Sequence, residues 1–108
     1  AWHSGDGLYV SNGAVPAFEY YAPMYGLTQA DYISNQRDDY KSPANISRQI
    51  ETLKGKPRVW VLMSHVYEKG EFNEKDFILS DLQQIGKKKR EFRVPGSSVY
   101  LYLFDLKN

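Results

Sequence analysis

Two runs in this sequence constrain the fold more than anything else in it. Arg58-Val59-Trp60-Val61-Leu62-Met63 and Val99-Tyr100-Leu101-Tyr102-Leu103-Phe104 have strand-like composition, and their side chains are apolar on both alternating faces. A strand with one wet face alternates apolar and polar residues; one that does not alternate lies inside a sheet covered on both sides. The rest of the chain must therefore supply covering layers, and helical periodicity shows where they come from.

Phe18, Tyr21, Ala22 and Tyr25 recur at the spacing of one helix face behind Pro16, in a helix beginning near Ala14. Pro23 predicts that this helix ends or tightens around Ala22, with Gly26 closing the segment. Ser42-Pro43 starts a second helix, with Ile46, Ile50 and Leu53 along one face and Gly55 as a left-handed stop. Asn73 caps a third over Glu74 to Ile85, where Ile78, Leu82 and Ile85 share a face and Gly86 ends the run. Leu8 to Ser11, Asp31 to Ser34 and Phe92 to Val94 are the remaining strands, the last one turning at Pro95-Gly96-Ser97 into the final strand. Glu68 to Glu71 and Lys87 to Arg90 read as polar loops. Alternation of strand and helix predicts an α/β three-layer sandwich. Its sheet has five mostly parallel strands in order 2-1-3-5-4, with one antiparallel strand in the C-terminal hairpin and helices on both faces.

At 108 residues, with 42% hydrophobic and 25% charged residues, the chain has the size and make-up of a single domain. Its formal net charge of +1 gives no long-range field toward nucleic acid. Without cysteine, disulfides, thiolate nucleophiles and Cys-bound metals are excluded. The longest apolar run has six residues, far short of the roughly 20 a spanning helix needs. The opening Ala1-Trp2-His3-Ser4 has no initiator Met and no signal-peptide pattern, and it reads as the start of an excised fragment.

Ligands of open α/β sheets bind beyond the carboxyl ends of the strands, where the strand order reverses. Ser11, Asn12 and Gly13 after the first strand and Ser64 and His65 after the third line that crevice, and they are the candidate ligand-binding residues. Neighbours on an extended chain point to opposite faces, so Ser64 and His65 cannot act together as nucleophile and base. No dinucleotide or P-loop glycine pattern follows the first strand, and no histidine spacing suits zinc, so neither cofactor nor metal is expected. Asp38-Asp39 reads as a solvated acidic pair. Asn45-Ile46-Ser47 matches the glycosylation sequon at a helix start. Lys87, Lys88, Lys89 and Arg90 are a candidate contact for anionic lipid headgroups; the plainer reading is a solvated loop beside a helix C-terminus. No catalytic constellation emerges.

Three segments carry a family resemblance. They are Gly5-Asp6-Gly7-Leu8-Tyr9-Val10 with Gly13-Ala14-Val15-Pro16-Ala17-Phe18-Glu19-Tyr20-Tyr21, then Gly55-Lys56-Pro57 through Ser64-His65, and Pro95-Gly96-Ser97 through Asp105. Together they resemble the C-terminal region of bacterial polytopic glycosyltransferases of the dolichyl-phosphate-mannose-mannosyltransferase-like and aminoarabinose-transferase-like kinds. The resemblance rests on strand and turn residues. It implies a domain that follows transmembrane helices of the same parent chain, faces the periplasm or cell exterior, and serves an enzyme whose donor is a polyprenyl-phosphate sugar. The family's catalytic acids lie in an early extracytoplasmic loop, so none is carried over to this chain. The expected function is accessory and non-catalytic, with the parent's transmembrane part, a lipid-linked sugar or anionic headgroups as partners. Two other readings stand beside it: a free-standing binding or hydrolytic domain using the strand-end crevice, and a docking module presenting Trp2, Tyr40 and Tyr67.

Overall fold

The computed structural model describes residues 3, 5–25, 32–35, 43–64, 68–69, 72–93 and 99–107. The chain alternates as the sequence predicts: β1 (Gly7–Val10), α1 (Val15–Tyr21), β2 (Ile33–Ser34), α2 (Pro43–Glu51), β3 (Val59–Met63), β4 (Glu68–Lys69), β5 (Phe72–Asn73), α3 (Glu74–Ile85), β6 (Lys87–Arg93) and β7 (Tyr100–Asp105). Five strands form one sheet in the order β2-β1-β3-β7-β6, which is the expected 2-1-3-5-4 arrangement once the separate β4–β5 ribbon is set aside. β1 pairs in parallel with β2 and β3, while β7 is antiparallel to both of its neighbours.

β3 and β7 lie side by side at the centre, Val59 opposite Phe104 and Met63 opposite Tyr100. One face of the sheet presents Tyr9, Val59, Val61, Met63, Tyr102 and Phe104 to Ile46, Ile50, Ile78 and Leu82 of α2 and α3. The other face presents Leu8, Val10, Trp60 and Leu103 to Ala14, Phe18 and Ala22 around α1. The two non-alternating runs are thus buried from both sides, and the domain has three layers.

Local sequence explains the helix limits. Asn73 Oδ1 accepts the Asp76 N–H at 3.0 Å, and Glu74 and Asp76 sit in the first turn, where the helix dipole favours anions. α1 gives way to a tighter 3₁₀ turn over Ala22–Tyr25, as Pro23 demands. Gly55 stops α2 at φ 96°, donates its N–H to Leu106 O at 2.9 Å, and so ties the chain's end to this turn. The Ser42 cap, the Gly26 closure, Asp31 at the start of the second strand, and the Pro95-Gly96-Ser97 turn lie outside the described residues, as do Asp38-Asp39, Trp2, Tyr40 and Tyr67.

Two expectations need correction. Glu68–Lys69 pairs antiparallel with Phe72–Asn73, so part of the polar segment read as a loop is a short ribbon leading into α3. Lys87, Lys88, Lys89 and Arg90 are not a loop but the first half of β6, a seven-residue strand where a short one from Phe92 was expected. Pairing with β7 overrides their low strand propensity: Lys87 lies opposite Asp105, Lys88 opposite Phe104 and Arg90 opposite Leu103, with Lys89 bulged out between them. Lysines and a bulge on an exposed sheet edge also discourage a second strand from adding there.

Candidate functional site

The carboxyl ends of β1, β2 and β3 gather the polar residues that the sequence points to, together with two that it does not. Ser11 continues the ladder past β1, its N–H donating to Leu62 O at 2.9 Å and its carbonyl accepting the Ala14 N–H at 2.9 Å. Ser64 follows β3 on the adjacent strand and is buried. Asn12 and Gly13 form the 3₁₀ turn that enters α1, and both are half-buried. His65 lies outside the described residues.

The organiser of this pole is Asn35, a buried residue immediately after β2. Its Oδ1 accepts the Asn12 N–H at 2.9 Å, and its Nδ2 donates to Glu74 Oε2 at 2.6 Å. Each end of the amide thus has a partner of the correct polarity, which fixes its orientation. Glu74 is buried as well, at the first position of α3, where unsatisfied N–H groups favour its carboxylate. The network joins the α1 entry turn, the end of β2 and the start of α3. Chemically it is a clamp. Asn35 spends both ends of its amide on this network, and Ser11 Oγ is a fully buried oxygen without a partner among the described residues.

Sequence reasoning reached Ser11, Asn12, Gly13 and Ser64 and missed Asn35 and Glu74. The strand-end rule that selects Ser11 and Ser64 applies equally to Asn35, one residue beyond Ser34. Glu74 gave no signal, because an acid after an N-cap reads as solvated until the tertiary contact buries it.

A second polar cluster lies at the opposite ends of the strands. Asp6, just before β1, accepts from Arg58 Nε at 3.1 Å, from Trp60 Nε1 at 2.8 Å and from the His3 backbone N–H at 2.9 Å. Arg58 also stacks over the Trp60 ring, 5.6 Å from its centroid. Burial alone raises the Asp6 pKa. The His3, Trp60 and Arg58 donors and the Arg58 charge outweigh it and hold the carboxyl below its ordinary value.

A depressed carboxylate pKa means that the unfolded chain binds the proton more readily than the native one. The resulting stability is complete above roughly pH 4–5 and is lost as pH falls through the lower native value. Asp6→Asn is expected to cost about 1.5–3 kcal/mol at neutral pH, the worth of hydrogen bonds to a charged group. The variant should also lose part of the fall in melting temperature that the wild type shows between roughly pH 5 and pH 2. Melting curves across that range check both expectations, and parallel pH profiles for the two proteins would count against the assignment.

The other marked residues are structural. Asn45 lies within α2 and its side chain accepts from Arg48. Ser47 Oγ donates to Asp81 and ties α2 to α3, so the sequon is built into a helix pair. Among the described residues no group of three or more His, Cys, Asp or Glu side chains is placed to share a metal ion. Among them, too, no helix is long and apolar enough to cross a membrane. Compared with family models, curated proteins and solved structures, the chain matches none.

Proposed function

We propose that this chain is an accessory, non-catalytic domain on the extracytoplasmic face of a polytopic membrane glycosyltransferase that uses a polyprenyl-phosphate sugar. In this role it follows the transmembrane helices of the same parent chain and positions acceptor or lipid-linked donor near the membrane surface. The observation that carries the reading is the Asn12–Asn35–Glu74 clamp. At the pole where an open α/β sheet would host a reaction, the buried Asn35 and Glu74 hold three elements together. A rigid domain of that kind suits positioning, and the three resembling segments supply the parent.

The reading frame upstream of Ala1 tests this. It is expected to encode several transmembrane helices and an early extracytoplasmic loop bearing acidic residues. A parent lacking this domain should still insert in the membrane but transfer sugar to its acceptor poorly. An upstream frame without transmembrane helices sinks the proposal.

One observation favours a second reading, a small-molecule site at the strand ends: Ser11 Oγ, beside Asn12 and Gly13, is buried without a partner among the described residues. A thermal-shift screen of sugars, sugar phosphates and nucleotides decides it. Stabilisation by one of them that disappears in Ser11→Ala supports a site there.

A further inference from the structure

Across the α1 face of the sheet, from β3 to the β6 edge, runs a ladder of alternating cations and rings. Arg58 lies over Trp60, the Trp60 and Phe92 ring centroids are 6.0 Å apart, and Arg90 Cζ lies 5.7 Å from the centroid of Phe92. Trp60 is nearly buried, whereas Phe92 remains 40% exposed at the outer end. Around it the charges are unequal. Arg58 is paired with Asp6 and Lys88 with Glu91, but Lys87, Lys89 and Arg90 are exposed and have no acidic partner among the described residues. The edge strand therefore carries an exposed aromatic ring with Arg90 stacked on it and, further along, Lys89 and Lys87, the last opposite Asp105 in register but forming no ion pair among the described residues.

From this juxtaposition we infer that the β6 edge is the surface by which the domain rests on an anionic phospholipid layer, with Phe92 at headgroup level and Lys87, Lys89 and Arg90 on the phosphates. The inference deepens the membrane-protein reading above and rests on it. Charge complementarity selects an anionic surface, and an aromatic ring beside cations suits the interface between headgroups and chains. An acidic protein strand would carry the right charge too. The bulge at Lys89 and the lysines along β6 oppose strand addition, though, while a lipid surface requires no backbone register.

The test is co-sedimentation of the 108-residue chain with phosphatidylcholine vesicles, with and without phosphatidylglycerol. Binding is expected only with the anionic lipid. It should weaken as salt shortens the screening length from about 30 Å at ~0.01 M to about 8 Å at ~0.15 M. Each cation near the surface is worth about fivefold in partitioning, so K87Q/K89Q/R90Q should lower binding roughly 100-fold at low salt. Phe92→Ser should lower it several-fold while leaving the melting temperature near wild type. Equal binding to both vesicle types, or unchanged binding by the triple variant, overturns the inference. So does unchanged binding by Phe92→Ser, or binding to a polyglutamate peptide in place of vesicles. A failed vesicle result does not touch the upstream transmembrane helices, so the two proposals fail separately.

Discussion

Trp60→Asp is expected to leave the domain without a cooperative thermal transition. Three losses coincide at this position. The indole bridges the α1 face of β3 and is nearly buried, and removing a ring of that size from a core costs about 3–5 kcal/mol. Its Nε1–H, which donates to Asp6 at 2.8 Å, is lost. In its place comes a second carboxylate near Asp6, a buried charge whose nearest opposite charge, Arg58, already serves Asp6; an uncompensated buried charge costs several kcal/mol more. Together these match or exceed the roughly 5–15 kcal/mol that a domain of this size has in all. Leu101→Asp is the contrast to measure. Leu101 is only half-buried, so its carboxylate would keep some water and the variant should melt lower but still cooperatively. Circular dichroism on both decides, and a Trp60→Asp protein melting with the wild type would refute the assignment of Trp60 to the core.

The parts of the fold that could be read in advance were those specified locally. Val59–Met63 and Val99–Phe104 lack alternation, which determines where they sit. The Asn73 cap, Pro43 and Gly55 mark helix limits by chemistry confined to one turn. What escaped was specified by partners far along the chain. Lys87–Arg90 is polar at every position, so only pairing with Leu103–Asp105 makes it a strand. Asn35 and Glu74 are 39 positions apart, and neither is unusual until the other is beside it. Asp6 and Arg58 are separated by 52 positions and meet because β1 and β3 pair in register. The candidate site was legible to the same degree. Strand-end topology located the pole and its serines, but which polar groups close on one another there depends on how α3 docks.

Gly86→Ala should be the most damaging of the small substitutions. The sequence reads Gly86 as the end of α3, a position where glycine often takes left-handed backbone. Instead it is extended, at φ −173° and ψ −163°, a conformation open to any residue. What excludes a side chain is space. A Cβ here would lie 2.3 Å from Asp105 O, 2.5 Å from Leu106 Cδ2 and 2.9 Å from Leu106 Cα. Two of those atoms are backbone, and that backbone cannot easily retreat. Asp105 is paired with Lys87, the Leu106 N–H donates to Lys56 O, its carbonyl accepts from Gly55, and the Leu106 side chain is fully buried. The strain must then be taken up where α3 runs into β6, loosening the edge strand. Overpacking of this kind costs about 1–3 kcal/mol and sometimes more; with tethered backbone at such short range the upper end is expected, a fall in melting temperature of roughly 10 °C or more. Gly55→Ala provides the comparison. Gly55 has φ 96° with nothing within 4 Å of an added Cβ, so its cost is that of left-handed backbone alone, about 1–2 kcal/mol. Thermal melts should therefore rank Gly86→Ala below Gly55→Ala, with hydrogen exchange faster along β6 in the first variant only. The reverse order would mean that the α3–β6 junction yields more easily than its contacts imply.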